Sequence, residues 1–171
     1  VWYQNAGYIW VPFVIVAVIL AWFLLRSVPV QARGIREQMD IFKNKHTWIM
    51  TYLYVITFGT FSGLAAGFAL LINNLYGTKA FGDAGIDPVK YAFLGALIGS
   101  AARIIAGPIA DRVGGGRMTV VSTVGISLAS LYTCFQLSPT SADQFPQFLY
   151  GMLAIFFFTG VGNASTFKQM P

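Results

Sequence analysis

The sequence is poor in charge, in histidine and in cysteine. Of 171 residues only 10% are charged, against about 25% in an ordinary soluble domain. Too few ionic side chains remain to coat a water-facing surface, which excludes a soluble enzyme and a disordered chain. The single cysteine, Cys134, excludes an internal disulfide framework. One histidine, His46, and no carboxylate pair, metal-ligand cluster or activated nucleophile within the apolar stretches leave no catalytic constellation. The expectation is therefore a protein that is not an enzyme and carries no cofactor or metal. What the sequence does have is apolar surface: 56% of the residues are hydrophobic, and the mean hydropathy is +0.65.

That apolar content is arranged in five runs, at about 8–25, 48–74, 88–110, 118–137 and 146–168. Each approaches or exceeds the roughly 20 residues that cross about 30 Å of hydrocarbon at 1.5 Å per residue. The first run, through Val11-Pro12-Phe13-Val14-Ile15-Val16-Ala17-Val18-Ile19-Leu20, carries no charge; a soluble helix of that length needs a polar face. No basic start precedes it, so it is not read as a cleavable signal. The fold class expected is an all-α membrane protein with five transmembrane helices. Thr47 is placed to cap the second helix, and Pro88 to open the third. Residues 73–87 and 138–145 read as polar outer loops, and the stretch Ala32 to Asn44 as a short interfacial helix. Because the chain starts at Val1 and stops at Pro171 just after an apolar run, it is read as a piece of a longer polypeptide.

The net charge of +5 is explained by topology. Loop 26–47 holds Arg26, Arg33, Arg36, Lys43 and Lys45 against Glu37 and Asp40. Loop 111–117 holds Arg112 and Arg117, and Lys168 closes the fifth helix on the same side. The opposite side has only Lys79 and Lys90, beside Asp83, Asp87 and Asp143. Eight basic residues against two place loops 26–47 and 111–117 in the cytoplasm by the positive-inside rule. Nucleic acid is not the partner that this charge serves; the lipid bilayer is. Trp2, Tyr3, Tyr8, Trp10 and Trp48 suit interfacial aromatic belts, or equally lipid-facing positions.

One charge lies well inside an apolar run. Arg103 sits eight residues before Asp111, about 12 Å inward, where a cation costs about 2.5–3.5 kcal/mol on insertion scales. It must face protein or a water-filled cavity, either as a structural tie to a neighbouring helix or as a functional group. No acidic residue lies inside any of the five runs, so an anion is the counter-charge expected, and the planar guanidinium fork suits a planar oxyanion. Gly95, Gly99, Arg103 and Gly107 recur at a spacing of four, a stripe equally suited to close helix packing. Tyr54, Phe58 and Phe61 share one face of the second helix, with Gly59, Gly63 and Gly67 on the adjacent face. Gly160, Gly162, Asn163, Ser165 and Thr166 give the fifth helix small and polar groups that serve interhelical hydrogen bonding or a cavity wall. Cys134 is expected to pack as a small apolar side chain.

Two motifs carry a family resemblance. Gly107-Pro-Ile-Ala-Asp111-Arg112-Val-Gly114-Gly115-Gly116-Arg117 resembles the Gly-x-x-x-Asp-Arg-x-Gly-x-Arg loop of the major facilitator superfamily. Gly160-Val-Gly162-Asn163-Ala-Ser165-Thr166-Phe167-Lys168-Gln169-Met170-Pro171 resembles the tenth helix of the nitrate/nitrite porters of that superfamily. The segment Thr57 to Phe68 is similar to their seventh helix, Ala102-Arg103 before Gly107 to their eighth, and Trp10-Val11-Pro12-Phe13 to their sixth.

The resemblance implies a partial major facilitator fold, helices six to ten of twelve, in a multi-pass protein of the plasma or inner membrane. Residues 1–25 then close the N-terminal half, 26–47 form the central cytoplasmic loop, and 48–171 begin the C-terminal half. It further implies transport of nitrate and/or nitrite by alternating access. Arg103 would bind the anion, Tyr54 and Phe58 would line the site, and Asn163 and Gly162 would lie nearby. Gly107, Asp111, Arg112, Gly114 and Arg117 would stabilise one gating state. The family's second substrate arginine lies on helix two, so the N-terminal half of the same polypeptide is the expected partner. A superfamily transporter of another small inorganic or organic anion is the alternative, and a membrane scaffold tied by Arg103 is a third.

Overall fold

The computed structural model describes residues 4–25 and 39–169. Trp2, Tyr3, Arg26, Arg33, Arg36, Glu37 and most of the interfacial helix expected at Ala32 to Asn44 lie outside the described residues. Contacts divide the chain into two compact units, residues 1–40 and 41–171. The first contains α1, Gln4–Leu24, an apolar helix with Pro12 inside it.

The second unit holds four long helices: α2, Lys45–Tyr76; α3, Ala92–Val113; α4, Gly115–Cys134; and α5, Phe145–Phe167. No strand occurs among the described residues, as the five apolar runs predict. The stretches Gly7–Leu24, Lys45–Ala84, Pro88–Val113 and Ala142–Phe167 are long and apolar enough to cross a membrane. At 20 residues, about 30 Å, α4 has the length of a span, but Thr119, Ser122, Thr123 and Ser127 dilute its apolar character.

The helix ends differ from the expected ones for local reasons. Thr47 does not cap α2. Asn44 does, its side chain accepting from the His46 amide at 2.9 Å, so the helix starts three residues before the apolar run. Trp48 donates its indole N–H to the Phe42 carbonyl at 2.8 Å, fastening the 3-10 turn Asp40–Lys43 to that start. Pro88 opens a separate 3-10 turn, Pro88–Lys90, capped by Asp87, before α3 begins at Ala92. Residues 111–117 do not form a loop. Helix α3 continues to Val113 and α4 begins at Gly115, leaving Gly114 alone between them at φ 96°. Only glycine adopts that conformation cheaply, which is what lets two helices reverse across one residue.

Helix α5 packs against α2, α3 and α4 and is the axis of the unit. Its core has two parts. Toward the α2–α3 and α4–α5 connections, Phe68, Ile72 and Tyr76 of α2 meet Phe145, Phe148, Met152 and Phe156 of α5, and the Tyr76 hydroxyl donates to the Gln136 carbonyl at 3.0 Å. Toward the α3–α4 turn the core is made of small side chains, Ala102, Ala106, Val161 and Ala164. There α3 and α5 approach so closely that a Cβ on Gly160 would collide with the Gly99 carbonyl oxygen. Cys134, the last residue of α4, is exposed rather than packed.

Candidate functional site

The glycine stripe of α3 divides into two parts with different work. Gly95 and Gly99 are buried against Phe156 of α5 and Phe61 of α2, while Gly107 has open space where a side chain would project. Gly107 lines a cleft of about 430 Å³ whose wall also includes Arg103, Asn163, Ala164, Phe167 and Lys168. Arg103 is thus on the open side of α3, one turn from the tightly packed part.

Its surroundings are aromatic. The Arg103 Cζ lies 5.6 Å from the centre of the Phe58 ring. Phe58 in turn stacks on Tyr54, with ring centres 5.4 Å apart and planes 10° from parallel, and Tyr54 meets the edge of Phe167 at 6.0 Å. The aromatic face of α2 therefore splits. Tyr54 and Phe58 gather beside Arg103, whereas Phe61 packs edge-on against Phe156 in the core. Gly59, Gly63 and Gly67 make no close helix contact among the described residues.

Among the described residues Arg103 has no ion pair and no hydrogen bond; the Phe58 ring is its one specific contact. Magnitudes show what this leaves. A cation over an aromatic face gains about 0.5–2 kcal/mol, and that ring is the whole of its compensation among the described residues. Five guanidinium N–H donors remain without acceptors, and a carboxylate, the usual remedy, is absent from the cleft wall.

The polar groups of α5 sort themselves. Ser165 and Thr166 donate back to the Gly162 carbonyl at 2.9 and 2.7 Å, and Thr159 to that of Phe156 at 2.9 Å. Ser165 also shares a 2.9 Å hydrogen bond with Thr119 of α4, and Gln169 donates to the same Thr119 hydroxyl at 2.8 Å. Gly162 faces Ser122 and Thr57, where a Cβ would lie 2.8 Å from the serine oxygen, so its position is one of close helix packing and not on the cleft wall. Asn163 is different. It is 2% exposed, it lines the cleft, and its Oδ1 has no hydrogen-bond partner. A buried amide oxygen without a donor is costly. The same amide carries N–H donors, the polarity an anion needs.

Of the turn residues, Asp111 pairs with Lys168, just past the end of α5, at 2.7 Å to Oδ1 and 3.0 Å to Oδ2. Arg112 lies in the last turn of α3 and Arg117 in the first turn of α4. Both are exposed. Phe167 and Lys168 are cleft residues that the sequence reading does not single out. For Phe167 the signal is its spacing of four from Asn163, which sets both on one side of α5; Lys168, at the C-cap just past the helix, has no such signal.

A bundle of long apolar helices, four stretches of which are long and apolar enough to cross a membrane, is the architecture of a multi-pass membrane protein. The sequence matches the Major Facilitator Superfamily over residues 1–171, and the chain belongs to that superfamily. It is 58% identical, over all 171 of its residues, to the "Probable nitrate/nitrite antiporter NarK2" of Thermus thermophilus. It is 33% and 32% identical, over 97% of its length, to the "Nitrate/nitrite transporter NarU" of Salmonella typhimurium and of Escherichia coli. The chain spans 38% of the length of the first relative and 34% of the other two.

Proposed function

We propose that this chain supplies helices six to ten of a twelve-helix transporter that moves nitrate and/or nitrite by alternating access. In this reading residues 1–25 end the N-terminal half, 26–47 form the central cytoplasmic loop and 48–171 begin the C-terminal half. The anion binds near mid-membrane between the two halves, as is general for carriers built from structural repeats. Arg103 supplies charge and two parallel hydrogen bonds, Phe58 a flat apolar wall, Tyr54 a hydroxyl and Asn163 an amide donor. The names of the relatives support the substrate class. The observation that carries the reading is the Arg103 guanidinium, lying over Phe58 at the cleft with no ion pair among the described residues.

The chemistry asked of the site is binding and release, with no covalent step. A planar anion with charge spread over its oxygens matches the guanidinium plane, and the Phe58 ring excludes water from one side of that pair, which strengthens it. The experiment is uptake by the intact transporter in proteoliposomes with competing anions. Nitrate and nitrite are expected to compete with each other, and phosphate and carboxylates to leave uptake unchanged. Equal competition by a carboxylate would move the assignment to a transporter of organic anions.

A further inference from the structure

Two cations share the cleft wall, and only one of them is paired. Arg103 lies over Phe58, while Lys168, further toward the α3–α4 turn, is held by Asp111. The pair ties the last turn of α3 to the end of α5, yet its two side chains are 54% and 47% exposed. Exposed ion pairs of this kind are marginal in strength, and the lysine ammonium rides on a flexible four-carbon stem. About 12 Å separates Arg103 from Asp111 along α3, eight residues at 1.5 Å each. The cleft is also far larger than one small oxyanion requires. An anion leaving Arg103 along this wall next meets the Lys168 ammonium, and any donor that Lys168 turns toward it is withdrawn from Asp111.

We propose that Lys168 is a second anion contact, exchanged between Asp111 and the transported anion, so that the anion itself loosens the tie between α3 and α5. The proposal rests on the reading of Arg103 as the primary anion site. Asp111 then acts as an internal competitor: it keeps Lys168 from trapping the anion and returns as its partner after release.

The test is equilibrium binding of sodium nitrate to the purified intact transporter at constant ionic strength, for five variants. Lys168→Gln is expected to weaken binding, and Asp111→Asn to tighten it, each by about fivefold, the factor corresponding to the upper end of an exposed ion pair. Lys168→Arg keeps the charge and is expected to bind as the parent does. In the double variant Lys168→Gln/Asp111→Asn the gain from Asp111→Asn disappears, because it acts only through Lys168. A pair that serves only as a structural tie predicts shifts of the same sign from both single variants, or none, and either result overturns the proposal. So does a gain that persists in the double variant, since Asp111 would then act through its own field. Nitrate binding unchanged by Arg103→Lys overturns the primary site instead, and is read separately.

Discussion

Arg103 owes its significance to what surrounds it more than to its depth. The Phe58 ring and the lack of an acidic neighbour on the cleft wall leave its donors available, and Asn163 places an unpartnered amide on the same wall. This makes the local charge balance sensitive to one substitution. Asn163→Asp sets a carboxylate in the cleft that competes with any anion for Arg103. Nitrate affinity is expected to fall by about tenfold or more, or about 1.4 kcal/mol; unchanged affinity would remove Asn163 from the site. The position of Arg103 was legible in the sequence because a charge in an apolar run stands out against a simple background. Tyr54 and Phe58 follow from their shared helix face, given Arg103, and from the family resemblance, but an aromatic stripe does not reveal that Phe61 turns into the core while its two neighbours do not. Gly162 shows the opposite failure. Its neighbour Asn163 reaches the cleft, but one residue round the helix the backbone meets Ser122 and Thr57.

At the scale of elements, α3 and α5 hold the site by backbone proximity. Gly160 packs on the Gly99 carbonyl, an atom that cannot rotate away. Gly160→Ala is expected to destabilise the bundle by about 1–3 kcal/mol, as overpacking of a filled interior does, seen as a lower melting temperature in detergent with or without nitrate. A melting temperature equal to that of the parent would show that the two helices can separate freely. On the other side of α5, Thr119 receives Gln169 and shares a hydrogen bond with Ser165. Thr119→Val removes both, and about 0.6 kcal/mol per interhelical bond is the loss expected in a membrane bundle, a much smaller shift in the same melting experiment. The apolar runs made these helices legible, but not their ends. Asn44 outcompetes Thr47 as a cap because its side chain reaches the His46 amide. The glycines at 114–116 suggested a loop, whereas one positive φ at Gly114 is enough to reverse the chain. Those glycines cost each helix little at its terminus, so the apparent loop was absorbed into α3 and α4.

Over the whole molecule the distribution of charge matters more than its sum. The excess of basic residues on one side predicts that the α3–α4 turn faces the cytoplasm. A cysteine introduced at Arg117 in a Cys134→Ser background should react with a membrane-impermeant maleimide in inside-out vesicles and not in intact cells; the reverse pattern would invert the topology. The chain belongs to the Major Facilitator Superfamily and spans 38% and 34% of the length of two relatives named for nitrate and nitrite. Equilibrium binding of nitrate to the intact protein and to its Arg103→Lys variant tests the anion site most directly. Lysine keeps the positive charge and loses the planar fork, so saturable binding should weaken by at least about tenfold. Binding that is the same in both proteins would contradict the assignment of Arg103 as the residue that holds the anion.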